Sequence, residues 1–271
     1  MLYRPAHHSA APRRNGRWTP HIPALKAFQL LAAIARASLI LSLHFPKLDR
    51  EARQAQTQRW ATRVLSILDI EVQCSGALPA AGARLVVANH LSWLDIVLIQ
   101  SLLPGVFVAK AEVRRWPLFG RLAQGCATIF VQRSSGRSAR AMVQASAAAL
   151  TLGDCVVGFP EGTSTDGADL GVFHANIFQA AVQAQVPVLP LTLRYLDSRT
   201  GQPSSAALYI GDTTLLASMR LVLASKSIRA QVHVGESIPP AGHCRKSLAV
   251  LARTNIRAQL LGDESGNSAG A

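Results

Sequence analysis

The feature of this sequence that most constrains its fold is an alternation of short apolar runs with longer segments of helical pattern, beginning near residue 83. The apolar runs predict strands at 83–88, 106–110, 127–133, 155–159, 186–195 and 228–235. The segments between them predict helices at 92–103, 114–124, 137–152 and 174–185. Strands alternating with helices of this length predict an α/β fold, with a mixed, largely parallel central sheet flanked by helices.

Length and composition limit the number of domains. With 271 residues, 49% of them hydrophobic, the chain can form one large α/β domain or at most two small ones. We expect the main domain at 61–261, after a membrane-associating helical segment at 25–60. The residues at 1–24 lack the apolar region of a secretory signal and are expected to form a disordered basic arm. The tail at 262–271 is also expected to be disordered.

The stretch 25–45, LKAFQLLAAIARASLILSLHF, is long enough to span a bilayer, but Lys26, Gln29 and Arg36 interrupt it. Because Arg36 would be costly in the middle of the hydrocarbon, we expect an N-terminal helix that lies in, or dips into, the membrane interface. The alternative is an amphipathic helix packed on the domain. Basic residues on both sides of the stretch predict a domain on the cytoplasmic side of the inner membrane.

The charge balance favours anionic partners. Lys and Arg outnumber Asp and Glu by 28 to 15, which gives a formal net charge of +13. Such a balance suits nucleic acid, an anionic membrane surface or acidic soluble molecules. Aromatic residues are few and are not interleaved with basic runs, so we do not expect nucleic-acid binding.

The cysteines argue against a metal site. Cys74, Cys126, Cys155 and Cys244 are widely spaced and form no CxxC pair. This spacing favours neither a metal centre nor a disulfide framework, and it fits a reducing cytoplasm.

A histidine and a carboxylate stand where the first predicted strand of the alternation meets its helix. His90 and Asp95 would be separated on a continuous helix, since five residues span about 140°. Ser92 resolves this as a predicted N-cap, which starts the helix at Trp93 and leaves His90 on the preceding turn. Asp95 could then reach back to one imidazole nitrogen, as the orienting group of a catalytic triad does. The alternative is that Asp95 only caps the helix and His90 is an ordinary turn residue.

No G-x-S-x-G nucleophile motif accompanies this pair. A base without its own nucleophile indicates that the substrate supplies the hydroxyl, which is acyl transfer to an alcohol.

A second polar segment, VVGFPEGTSTDG at 156–167, follows the predicted strand at 155–159. It places Glu161 in a loop at the carboxyl end of a strand, where open α/β sheets bind ligands. The alternative is a solvated turn, because Pro, Gly, Ser, Thr and Asp are common turn residues.

Taken together, NHLSWLD and the later FPEGTS resemble the glycerolipid acyltransferase family, which contains the 1-acyl-sn-glycerol-3-phosphate acyltransferases and a lyso-ornithine lipid acyltransferase branch. The likeness extends over roughly 60–235. Its four blocks occur in order: 89–95; the region of Gly125 and IFVQR, preceded by a family-like stretch at 110–120; 159–163; and VPVLPL at 186–191.

The resemblance implies that His90 acts as general base on the acceptor hydroxyl while Asp95 holds its tautomer. The alkoxide would attack the acyl thioester directly, without a covalent enzyme intermediate. The implied substrate-binding residues are Lys110, Arg133, Glu161, Gly162, Thr163 and Ser164, and bulky apolar residues would line an acyl tunnel. Taken alone, Lys110 and Arg133 could equally be surface cations. The donor would be acyl-carrier protein or coenzyme A thioester, with no cofactor and no metal.

Two positions depart from the family pattern. Ser164 stands where an arginine is common, and His174 stands where a lysine is usual. The first hypothesis for the acceptor is 1-acyl-sn-glycerol-3-phosphate, giving phosphatidate, and the alternative is lyso-ornithine lipid. Two other functions stay open: a non-catalytic protein that binds anionic membranes, and a thioesterase that uses water.

Overall fold

The computed structural model describes residues 23–116, 119–132 and 136–262. The arm expected at 1–24 falls outside this range except for its last two residues, and the tail at 262–271 except for its first. Eight α-helices are present in the described part of the chain. They are α1 (Ala24–Leu43), α2 (Arg50–Ile67), α3 (Leu94–Leu102), α4 (Phe119–Gly125), α5 (Gly136–Thr151), α6 (Phe178–Ala184), α7 (Leu215–Ala224) and α8 (Arg245–Gly262).

Seven strands form one sheet with the order β1-β7-β6-β2-β5-β3-β4. They are β1 (Glu71–Ser75), β2 (Arg84–Ala88), β3 (Val106–Lys110), β4 (Ile129–Val131), β5 (Cys155–Gly158), β6 (Val188–Asp197) and β7 (Ile228–Val234). Neighbouring strands are parallel except β6 and β7, which are antiparallel. The predicted α/β class, with a mixed and largely parallel sheet flanked by helices, is confirmed.

The central strand β2 shows why the sheet is covered on both faces. Successive side chains of a strand point to opposite faces. Val86 and Ala88 belong to the core cluster beneath α1, α2, α3 and α7. Leu85 and Val87 belong to the cluster beneath α5, α6 and α8. A strand buried on both faces has a continuous apolar run, as at 85–88.

Some elements differ from the sequence prediction. The helix predicted at 114–124 is divided into a 3-10 turn, Ala111–Arg115, and α4. Trp116 between them is extended, with ψ 129°, as expected for a residue that precedes proline. The helix predicted from 174 begins only at Phe178, because the His174 amide instead donates to the Pro160 carbonyl. Strand β1 and helices α7 and α8 lie where no element was predicted.

Helix α1 packs on the domain along one face and leaves apolar side chains exposed on the other. Its buried residues are Leu30, Ile34 and Ala37. Large exposed side chains on the same helix are Leu25, Phe28, Leu31, Leu39 and Leu43. The helix is long and apolar enough to cross a membrane, and 17% of its most apolar window is buried. The exposed apolar face is typical of membrane association.

Candidate active site

The residues singled out in the sequence meet at the carboxyl edge of the sheet. His90 follows β2, the segment at 159–164 follows β5, and Lys110 is the last residue of β3. These three strands are adjacent and parallel, in the order β2-β5-β3. Their carboxyl ends therefore share one edge, where ligands bind in open α/β sheets.

Asn89 lets the chain leave the sheet directly before His90. Its side-chain amide donates to the Leu193 carbonyl at 3.0 Å, and its carbonyl oxygen accepts from the Leu193 amide at 2.8 Å. The side chain thus satisfies the β6 backbone beyond the last paired residues of β2 and β6, Ala88 and Leu191. The backbone of β2 is freed to turn and direct His90 out of the strand.

His90 and Asp95 form the contact expected of a base and its orienting carboxylate. His90 Nδ1 lies 2.7 Å from Asp95 Oδ2. The Asp95 side chain is 0% exposed and that of His90 is 21% exposed. The assigned tautomer has a proton on Nδ1, which donates to the carboxylate and leaves the Nε2 lone pair available. Within the described ranges, no group hydrogen-bonds Nε2.

The prediction that Ser92 caps the helix is wrong. Helix α3 begins at Leu94, and the buried Ser92 hydroxyl has no hydrogen-bond partner in the described part of the chain. Asp95 Oδ2 instead accepts from the backbone amides of Leu91 at 2.7 Å and Ser92 at 2.9 Å. Both amides precede α3, and the bond from the Ser92 amide is the carboxylate half of a capping box, so Asp95 Oδ2 accepts from this turn as well as from the imidazole.

Two further side chains, not predicted from the sequence, hold this pair. The Phe159 ring stacks on the His90 imidazole, with centroids 4.1 Å apart and planes 14° apart. The Tyr195 hydroxyl donates to Asp95 Oδ1 at 2.9 Å. Phe159 is part of a segment the sequence analysis had selected, although its contact could not be foreseen. Nothing in the local sequence marks Tyr195, which is one hundred positions from Asp95.

Glu161 is a buried supporting residue, so the solvated-turn alternative is not what the structure shows. Its side chain is 7% exposed. Its Oε1 accepts from the His90 backbone amide at 3.0 Å, and its Oε2 accepts from the Gly171 amide at 2.9 Å. The His90 carbonyl accepts from the Thr165 amide at 2.8 Å. The loop after β5 thus holds the His90 backbone from both sides.

The other predicted binding residues have different environments. Gly162 adopts φ +71°, a left-handed conformation that favours glycine and bends the loop back. Thr163 is exposed, and the Ser164 hydroxyl donates to the Tyr209 carbonyl. Lys110 is exposed at the end of β3. Arg133 lies outside the described residues.

The chemistry available here is that of an oriented base. In the described ranges, no group of three or more His, Cys, Asp or Glu side chains could hold a metal ion. An imidazole with one nitrogen fixed by a buried carboxylate and no described partner on the other can accept a proton from a bound hydroxyl.

Comparison with known proteins adds to this geometry. A family model described as Acyltransferase matches residues 69–194. Over 210 residues the chain is 40% identical to the lyso-ornithine lipid O-acyltransferase of Pseudomonas aeruginosa, covering 78% of this chain and 80% of that protein. It is 33% identical over 226 residues to the protein of the same name from Rhizobium meliloti, covering 79% and 77%. It is 36% identical over 160 residues to the 1-acyl-sn-glycerol-3-phosphate acyltransferase of Neisseria meningitidis, covering 58% and 63%.

The fold also has a solved counterpart. The crystal structure of the 1-acyl-sn-glycerophosphate acyltransferase from Thermotoga maritima superposes with a TM-score of 0.59. The match covers 88% of this chain and 98% of that one at 20% sequence identity. At this identity the likeness concerns the fold alone.

Proposed function

The chain belongs to the acyltransferase family, and from that premise we propose that it transfers an acyl chain from a thioester to the free hydroxyl of a lysolipid, with His90 as general base. The observation that carries this proposal is the imidazole held by buried Asp95 at 2.7 Å, in a partly exposed side chain at the carboxyl edge of the sheet. No nucleophile motif accompanies the pair, so the acceptor itself attacks.

In this reaction His90 accepts one proton and later returns it. Nε2 takes the proton of the acceptor hydroxyl as its oxygen attacks the thioester carbonyl. The imidazolium so formed is stabilised by the Asp95 carboxylate. When the tetrahedral intermediate collapses, the C–S bond breaks and Nε2 returns the proton to the leaving thiolate. The products are an ester and a free thiol, and His90 is neutral again.

For the acceptor, we place lyso-ornithine lipid before 1-acyl-sn-glycerol-3-phosphate, reversing the order reached from sequence. Two of the relatives named for lyso-ornithine lipid match 78% and 79% of this chain. In addition, the Ser164 hydroxyl donates to the Tyr209 carbonyl, and a serine carries no charge for a phosphate. The second candidate is supported by the exposed cation Lys110 and by the Neisseria relatives.

We further propose that the enzyme works on the cytoplasmic face of the inner membrane, with an acyl-carrier protein or coenzyme A thioester as donor. The exposed apolar face of α1 supports association with a bilayer. A groove of about 510 Å³ between α1, α2 and α4 is lined by apolar and neutral polar side chains and by Arg36, Arg59 and Arg63, and none of its lining residues in the described ranges is Asp or Glu. This lining suits an anionic lipid surface, and the net charge of +13 suits anionic donors.

The experiment that tests the proposal offers both acceptors to the full chain in detergent with a labelled acyl thioester. Acylated ornithine lipid as the main product is the expected result. Phosphatidate as the main product would support the second candidate. Free thiol released at the same rate without acceptor would indicate a thioesterase, and an intact thioester with both acceptors would favour a membrane-binding protein.

A variant pair sharpens the choice of acceptor. Ser164→Arg restores the cation common in the family and should raise the ratio of lysophosphatidate to lyso-ornithine use by about tenfold, the scale of one charge-assisted hydrogen bond. Ser205→Arg adds the same charge at an exposed serine outside the site and should leave the ratio unchanged. An unchanged ratio in Ser164→Arg would show that position 164 does not select the acceptor.

A further inference from the structure

Tyr195 is held at the site by the sheet and not by its sequence neighbours. It lies on β6, where its backbone is paired with Ala230 of β7. β6 continues beyond the end of β2, since the last paired residue of β2, Ala88, lies opposite Leu191. The extension carries Tyr195 beneath the first turn of α3. The side chain is 3% exposed there, and its hydroxyl lies 2.9 Å from Asp95 Oδ1.

The two oxygens of Asp95 have different partners. Oδ2 accepts from two backbone amides and from His90 Nδ1. Oδ1 accepts from the Tyr195 hydroxyl, and no other partner of Oδ1 is found in the described ranges. Because Asp95 is fully buried, this hydroxyl supplies the stabilisation that water would otherwise give to that oxygen.

The Tyr195 hydroxyl keeps its proton and so remains a hydrogen-bond donor. Burial, followed by the nearby charge of Asp95, raises the pKa of Tyr195 well above its ordinary value of 10. The phenol therefore keeps its proton over the range in which a histidine titrates and takes no part in proton transfer itself.

We propose that Tyr195 is a positioning residue that sets the basicity of His90 through Asp95. The inference rests on the general-base function proposed above. The phenol proton draws negative charge toward Oδ1 and makes the carboxylate a weaker partner for the imidazolium. Removing that proton strengthens the attraction between Asp95 and protonated His90, so the pKa of His90 should rise.

The first test is Tyr195→Phe, read by ¹⁵N NMR titration of histidine-labelled protein in detergent, with the His90 signals assigned from His90→Gln. The His90 pKa should rise by about half a unit, the scale of one modest hydrogen bond. The acidic limb of the kcat/KM profile should move to higher pH by the same amount. At the optimum pH, kcat should fall about fivefold with the acceptor KM unchanged, because Oδ1 is no longer held.

The control is Thr192→Val, a nearly isosteric loss of a hydroxyl on the same strand. Thr192 is buried but three positions from Tyr195, so it points to the opposite face of the sheet. Its His90 titration and its pH profile should match those of the unsubstituted protein. A His90 pKa that is the same in Tyr195→Phe, Thr192→Val and the unsubstituted chain would overturn the inference.

A second substitution preserves the packing and is expected to shift the His90 pKa in the opposite direction. Replacing Tyr195 with 3-fluorotyrosine makes the phenol a stronger acid and a stronger donor, so the His90 pKa should fall. If Tyr195→Phe does not fold, the 3-fluorotyrosine variant tests the inference by itself. A pKa that rises or does not change would contradict the inference.

The NMR titration of His90 does not require acyl transfer, so the Tyr195 inference and the proposed function can be rejected independently of each other. A His90 pKa that rises in Tyr195→Phe and falls with 3-fluorotyrosine, in a protein that acylates neither lipid, would support the Tyr195 inference and reject the proposed function. Acyl transfer with unshifted titration and pH profiles would reject the Tyr195 inference alone.

Discussion

Glu161 holds His90 by its backbone and not by its imidazole: Oε1 accepts the His90 amide at 3.0 Å, while the ring contacts Asp95 and Phe159. The second oxygen of Glu161 accepts the Gly171 amide, on the far side of the same loop. Both oxygens of the carboxylate are thus occupied by amides of the protein. We therefore expect Glu161 to act on the reaction by fixing where His90 leaves the sheet, and its contact with the acceptor stays a prediction.

Glu161→Gln should lower both stability and turnover. An amide offers one oxygen, so one of the two backbone amides would face an NH₂ group and lose its partner. We expect the free energy of unfolding to fall by about 2 kcal/mol and kcat to fall about tenfold. Denaturant unfolding and steady-state kinetics measure the two effects. The control is Glu236→Gln at an exposed glutamate, and equal effects in both variants would contradict a positioning role.

His90→Ala should reduce turnover by about a thousandfold or more, the scale seen when a triad base is lost. Asp95→Asn should cause a comparable loss. The asparagine side chain has a single uncharged oxygen, which cannot replace the carboxylate as acceptor for both the two backbone amides and the imidazole proton. Folding and membrane binding of His90→Ala should be unchanged, as measured by circular dichroism and vesicle flotation. Activity within tenfold of the unsubstituted protein would rule out His90 as the base.

The exposed face of α1 should control membrane association. Replacing both Leu31 and Leu39 with glutamine removes two large exposed apolar side chains without touching the buried face of the helix. The fraction of protein that floats with phosphatidylglycerol-containing vesicles should fall several-fold. Each substitution makes the free energy of membrane binding less favourable by about 1–2 kcal/mol, because one leucine side chain is no longer buried in the bilayer. Leu216→Gln, at an exposed leucine of α7, is the control. If the two proteins float equally, α1 is not the membrane contact.

The cysteines should differ sharply in reactivity. Hydrogen bonds from Ser247, first from its backbone amide and then from its hydroxyl, lower the pKa of Cys244 to about 7. Burial raises the pKa of Cys155 to about 12. Because the thiolate is the reactive form, alkylation of Cys244 by iodoacetamide should be half-maximal near pH 7, while Cys155 should react only after unfolding.

Ser247→Ala provides the matched comparison for Cys244. It removes the hydroxyl donor and leaves the backbone amide, so the midpoint of the alkylation profile should move from about 7 part of the way toward the ordinary value of 9. Peptide mapping by mass spectrometry identifies the modified residue. A midpoint near 9 in the unsubstituted protein would show that these hydrogen bonds do not form in solution.

The local pattern of the chain was sufficient to predict much of the sheet. Strands buried on both faces are continuous apolar runs, so β2 and β5 are marked by their own residues. Strand β1 was missed because its residues are mostly exposed, which leaves it without an apolar run. The break between the 3-10 turn and α4 depends on Pro117, which the prediction of a continuous helix passed over.

That a base, a carboxylate and a second acidic loop occur at the ends of strands can be predicted from the sequence, since His90, Asp95 and Glu161 are close to their strands along the chain. The partner of each side chain depends on the folded structure. Asp95 accepts from the Ser92 amide while the Ser92 hydroxyl does not cap α3, Glu161 binds a backbone amide, and Tyr195 reaches Asp95 from a strand one hundred residues away. Hydrogen-bond partners depend on which strands become neighbours, and that order, β6-β2-β5, is set by packing of the whole sheet rather than by any local segment.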